Sequence, residues 1–167
     1  MTLVTTAAVS QNIDTKIQRL LHPEKSDADI SPEPLSYGKD AIPHLIKVID
    51  VNEKAFIGFK NPLDSRIPDA MYNSLGMRAA YEIELILATN EKAKLKDRKY
   101  NHLFRYGYIV RDVEKEQLKA MTNADMKIIK AIYLKWWNQN KTKNIDQLRN
   151  DWKKGYQPLS KSAFIWI

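Results

Sequence analysis

Two carboxylates, Glu82 and Glu84, are where chemistry would first be sought in this 167-residue chain. A pair of carboxyl groups can cleave a bond by general acid and base catalysis when both flank it. The two lie in NSLGMRAAYEIELILAT, whose apolar spacing predicts a helix over 73–89. Two positions apart on a helix, side chains diverge by about 200°, so these two cannot flank one substrate bond. Their simpler role is to pair with Lys, Arg or Tyr at seams between helices. An enzyme using Glu82 or Glu84 ranks third, behind two binding readings.

Other chemistry is sparse. The three histidines, His22, His44 and His102, include no two at helical ligand spacing, so no metal site is expected. No nucleophile elbow, phosphate loop or dinucleotide fingerprint occurs, and no cofactor is expected. The absence of cysteine excludes disulfides, thiol nucleophiles and thiolate metal sites.

The elements that would position any site are helical. A first helix is expected over Asn12–Leu21, with Ile13, Ile17, Leu20 and Leu21 on one stripe, and Pro23–Gly38 reads as a loop with three prolines. In GKDAIPHLIKVID, Ile42, Leu45, Ile46 and Ile49 fall at i, i+3, i+4 and i+7, with Pro43 in the first turn. Residues 51–72 form a long connection containing Gly58, Pro62 and Pro68, of a length that is often functional. The helix over 73–89 is apolar on two sides: Gly76, Ala79, Ala80, Ile83, Ile86 and Leu87 on one, Met77, Tyr81, Leu85 and Ala88 on the other. Such a helix belongs at the centre of its fold, and its small residues admit a close neighbour.

Tyr106, Tyr108 and Val110 alternate in a way that permits a short strand. Thr122 with Asp125, and Asn144 with Gln147, have capping-box spacing and open two more helices. The first carries Met126, Ile129, Ile132, Tyr133, Trp136 and Trp137 on one broad stripe. The second carries Ile145, Leu148 and Trp152 and stops at Gly155. The tail PLSKSAFIWI is apolar and expected to pack back on the body. The fold class read from this is all-α: a compact bundle of about five helices, with at most one short β-hairpin, in a single domain over 1–167. Residues 1–11 are either a frayed end or the remnant of a targeting segment.

AIYLKWWNQNKTKN sets lysines beside adjacent tryptophans, a mixture that can bind nucleic acid when rings and cations share a face. Helical spacing separates them instead. Trp136 and Trp137 fall on the arc of Met126, Ile129 and Tyr133, whereas Lys127, Lys130 and Lys135 point away from its centre. Burying an indole removes roughly 150–250 Å² from water, so the rings are assigned to scaffold. The expected core comprises Ile42, Leu45, Ile46, Ile49, Ala80, Ile83, Leu87, Trp136, Trp137 and Trp152.

Apolar residues at 44% and charged residues at 28% are the composition of a globular chain, and no apolar run is long enough to span a bilayer. Net charge is +7 but uneven. Residues 1–90 hold nine basic against twelve acidic side chains, and residues 91–167 hold eighteen against eight. The C-terminal half therefore suits an acidic protein, a nucleic acid or an anionic surface.

Two stretches carry a resemblance. YGKDAIPHLIKVID, through Gly38, Ala41, Ile42, Pro43, Leu45 and Ile46, resembles the opening helix of HEAT-like repeats, and GMRAAYEIELIL, through Gly76, Ala79 and Ala80, is similar to its partner helix. The C-terminal phrase, through Trp136, Trp137, Asn140, Lys141, Leu148, Arg149, Trp152, Pro158, Leu159 and Trp166, resembles the ending of small bacterial helical proteins, some of them similar to immunity partners of interbacterial toxins. Together these cover a third to a half of the chain. A single recognisable pair and the long 51–72 loop depart from a true solenoid, so a compact bundle with a HEAT-like helix pair is expected.

The resemblance implies a non-catalytic, protein-binding module of immunity or inhibitor type that binds and neutralises a toxin or effector; the basic half suits an acidic one, and the absence of cysteine suits bacterial cytoplasm and periplasm equally. Its expected surface combines Phe56, Phe59, Lys60 and Arg66 of the long loop with Lys92, Lys94, Lys96, Arg98, Lys99 and Arg105. The same basic stretch reads equally well as a solvated linker. Nucleic-acid binding through the basic half is the alternative, although no helix-turn-helix or RNA-binding motif is legible.

Overall fold

The structure is a computed structural model that describes residues 34–53, 74–88, 109–113, 117–119 and 121–166, together with Thr15. These residues are mostly helical. A 3-10 segment, Pro34–Ala41, kinks at Gly38 (φ 53°) and runs into α1, Ile42–Val48. Then follow α2 (Leu75–Ala88), β1 (Ile109–Val113), β2 (Gln117–Lys119), α3 (Asn123–Asn140), α4 (Ile145–Lys153) and β3 (Phe164–Trp166). The expected helix over Asn12–Leu21 lies outside the described residues except for Thr15. The expected loop over Pro23–Gly38 is corrected at its end, where the 3-10 segment begins at Pro34.

Helix α2 is the centre of the described fold. Eleven of its fourteen residues are buried, as expected for a helix apolar on two sides. Helix α1 packs on it, and Ala41, Ile42, Leu45, Ile46 and Ile49 of α1 and its flanks, all at most 2% exposed, share one core with Ala79, Ala80, Ile83 and Leu87 at 0%. The small residue at Gly76 has a specific use. A Cβ there would collide with the carbonyl oxygen of Ile49, so only glycine lets the end of α1 lie this close. The first N–H groups of α2, which have no partner within a helix, bond back to the same stretch. Leu75 N donates to Glu53 O at 2.8 Å and Gly76 N to Val51 O at 3.0 Å. Ser74 Oγ accepts from Met77 N at 3.1 Å, as an N-cap does.

The capping boxes are found as the sequence spaces them. Thr122 and Asp125 bond reciprocally at the start of α3, and Asn144 and Gln147 do so at the start of α4. Gly155, at φ 87°, closes α4.

The expected limit of one hairpin is exceeded. β1 pairs antiparallel with β2, Arg111 opposite Lys119, and on its other side with β3, Val110 opposite Ile165. The order is β2-β1-β3. The physical reason is that a hairpin's outer edge has unpaired N–H and C=O groups, which the apolar tail covers while burying Leu159 and Phe164.

Three helices end on a cation from a remote part of the chain. Lys130 Nζ of α3 bonds Lys47 O at the end of α1 (2.7 Å) and Asp50 Oδ1 (2.6 Å). Arg149 Nε of α4 bonds Ile86 O near the end of α2 at 3.2 Å. Lys39 Nζ bonds Lys141 O just past α3 at 2.6 Å and lies 5.8 Å from the Trp137 ring centroid. Each offsets the partial negative charge that a helix carries at its C-terminus. Lys130 thus does not face solvent as its sequence position implied; it is half-buried and paired.

Candidate functional site

The two carboxylates singled out in the sequence are both 0% exposed, and their surroundings differ. Glu84 sits between three elements. Its Oε1 accepts from Tyr133 Oη of α3 at 2.6 Å, and its Oε2 accepts from Trp152 Nε1 of α4 at 2.5 Å. Trp166 Nε1 of β3 donates to Tyr133 Oη at 3.3 Å, and the Trp166 ring meets Tyr81 edge-on at 5.9 Å. Removal from water pushes the Glu84 carboxyl above its ordinary pKa, and the hydrogen bonds from Tyr133, Trp152 and Trp166 oppose that shift. Burial, with the Glu84 charge adding to it, raises Tyr133 well above 10.

Glu82 points elsewhere. Arg78, one turn back on α2, places Nη2 2.5 Å from Glu82 Oε1, and Glu82 Oε2 has no hydrogen-bond partner among the described residues. Desolvation raises the Glu82 pKa, and the Arg78 charge lowers it. The two carboxylates share no partner, in keeping with their divergence on the helix. Glu84 does pair at a helix seam with Tyr133, while Glu82 pairs within its own helix.

Chemically, Glu84 is held as an acceptor with both oxygens occupied, an arrangement that ties α2, α3, α4 and β3 together. Helical spacing points the tryptophan and tyrosine donors toward the core, but it says nothing of their polar ends as partners of Glu84. The signal available was a carboxylate amid apolar neighbours, which needs buried donors wherever it goes. Arg149, at 6% exposure, was likewise not assigned a role beyond the resemblance.

Of the expected core, Ile42, Leu45, Ile46, Ile49, Ala80, Ile83 and Leu87 are buried. Trp136, Trp137 and Trp152 are half-buried and pack against that core from its rim, a correction to their central placement. Their size explains it: an indole spans from core to surface, and Trp136 and Trp137 lie against each other with centroids 6.4 Å apart. The expected binding residues Phe56, Phe59, Lys60, Arg66, Lys92, Lys94, Lys96, Arg98, Lys99 and Arg105 all lie outside the described residues. His44 is half-buried on α1, and no group of three His, Cys, Asp or Glu that could hold a metal occurs among the described residues.

Among the described residues of 121–166 the exposed charge is mostly basic. Lys127, Lys135, Lys141, Lys153, Lys154 and Lys161 are exposed, and none has a side-chain ion pair among the described residues. Beside them Ile128, Leu134 and Tyr156 are 48%, 47% and 58% exposed. No helix among the described residues is long and apolar enough to cross a membrane.

No protein-family model, curated protein or solved structure matches the chain.

Proposed function

We propose that this protein is a non-catalytic protein-binding module of immunity or inhibitor type that neutralises an acidic toxin or effector, with α1 and α2 as a HEAT-like helix pair. The observation that carries the reading is the set of exposed lysines in 121–166 with no ion pair among the described residues, interspersed with exposed apolar side chains. Among the described residues, Lys39, Lys130, Lys143 and Arg149 are by contrast bonded within the fold. Unpaired cations speed encounter with an acidic partner, while apolar contacts supply affinity. The Glu84 arrangement, with Tyr133 and Trp152 donating to its two oxygens, supports a structural role for that carboxylate.

The same lysines suit a nucleic acid, which is the second reading. Affinity capture from the native host at low and high salt separates the two. The expected result is one acidic protein, retained at high salt, whose toxicity is relieved when this chain is co-expressed. Recovery of nucleic acid that is lost steeply with salt would reverse the ranking.

A further inference from the structure

We infer that the outer face of α3, formed by Lys127, Ile128, Ala131, Leu134 and Lys135, is the docking surface for an acidic amphipathic segment of a protein partner. The inference rests on the protein-binding reading and assigns it a place. At about 100° per residue, Ala131 lies at the centre of the face, with Lys127 and Leu134 to one side and Ile128 and Lys135 to the other. All five are exposed, while Met126, Ile129 and Tyr133 turn the opposite face into the core.

Charge sets what can cover this face. From Met126 to Ile145 the chain has five lysines and no Asp or Glu. Two of the five are used internally: Lys130 by Asp50 and Lys143 by Asp151. Lys127 and Lys135 are left beside the apolar pair. A small residue at the centre lets another element approach the helix axis closely, with larger side chains on both flanks forming ridges. The complementary occupant has apolar side chains for Ile128 and Leu134 and carboxylates for Lys127 and Lys135. The five positions span roughly 12 Å at about 1.5 Å per residue, close to two turns of a partner helix.

Other occupants fit less well. A phosphate backbone pairs with lysine but gains nothing from Ile128 and Leu134, and the rings that would stack on bases, Trp136 and Trp137, pack against the core. A lipid surface selects helices bearing Trp or Phe among their apolar residues, and this face has neither. A second copy related by a two-fold axis would set Lys127 and Lys135 against their own equivalents.

The test uses the full chain and four fluorescent or sedimented probes: a Glu-flanked, Leu-striped helical peptide, its version with every Leu replaced by Gln, a short DNA duplex, and vesicles of phosphatidylserine and phosphatidylcholine. The striped peptide is expected to bind best, and Leu134→Glu or Ile128→Glu to weaken it about tenfold or more without lowering the melting temperature. Lys127→Gln combined with Lys135→Gln is expected to flatten its salt dependence. Equal binding of the two peptides, tighter binding of DNA or vesicles, or an unchanged affinity in the Leu134→Glu protein would overturn the assignment. A host protein captured equally by wild type and Leu134→Glu would overturn this face while leaving the protein-binding function standing. Failure to capture any host protein counts against the function itself.

Discussion

Tyr133 donates its hydroxyl hydrogen to Glu84 across 2.6 Å at a point where both residues are 0% exposed. A carboxylate removed from water must recover in hydrogen bonds what it loses in hydration. Here a phenol and an indole fill one oxygen each, so the charge fixes the relative placement of α2, α3 and α4.

Removing Glu84 should therefore be costly and replacing it with an isostere should not. Glu84→Ala leaves Tyr133 Oη and Trp152 Nε1 facing a void, and is expected to destabilise the fold by about 3 kcal/mol or more. Glu84→Gln keeps an acceptor for Trp152 and an amide for Tyr133, and should cost less than half as much. Chemical denaturation of the two variants checks this. An activity lost in Glu84→Ala with its melting temperature intact would show instead that Glu84 acts on a substrate.

The buried carboxylates also set a pH dependence. Burial raises both Glu82 and Glu84 above the ordinary value of 4.5. Between 4.5 and the raised values the native state holds protons that the unfolded chain has released. Their contribution to stability is thus greatest below the ordinary value and is lost as pH rises through the raised ones. Glu82→Gln, which removes one such group, should gain stability relative to wild type as pH rises from acid to neutral. The opposite trend in urea titrations would mean that Arg78 outweighs desolvation.

Gly76→Ala sets two effects against each other. Alanine favours helix by about 1 kcal/mol over glycine. Its Cβ, however, would meet the Ile49 carbonyl, a backbone atom that cannot swing aside. Overpacking of this kind costs about 1–3 kcal/mol. A net loss of about 1–2 kcal/mol is expected because the clash is with backbone, read as a lower denaturation midpoint; a stabilised variant would show that α1 and α2 lie further apart.

The cations at helix ends should differ in worth. Lys130 and Asp50 are each 30% exposed, so Lys130→Ala is expected to cost no more than about 1 kcal/mol, less at high salt. Arg149 is buried against Ile86 O, and Arg149→Met should cost about 2 kcal/mol with little salt dependence. Thermal melts across a salt series distinguish the two.

What the sequence disclosed follows distance along the chain. The boxes at Thr122–Asp125 and Asn144–Gln147 are local: donor and acceptor lie three residues apart, and the spacing alone predicts them. The buried face of α1 and the all-round burial of α2 follow from helical periodicity in the same way. The donors to Glu84 come from 49 and 68 residues downstream, and no local pattern announces them. The third strand was missed for a related reason. Phe164–Trp166 is too short to read as a strand alone, and only the free edge of β1 makes it one. The expected loop and basic-stretch surface falls outside the described residues, whereas the exposure of Ile128 and Leu134 follows from helical spacing alone, opposite Ile129 and Tyr133 on α3.

The lysine at position 39 bonds a carbonyl 102 residues further on. During synthesis the N-terminal half therefore leaves the ribosome long before the groups that complete it. Helix α2, greasy on every side, waits with a bare carboxylate until Tyr133, Trp152 and finally Trp166 arrive. Chains closed by such distant contacts fold slowly and expose sticky surface meanwhile. A nascent chain stalled before Trp152 should be a chaperone client, and the finished chain should not.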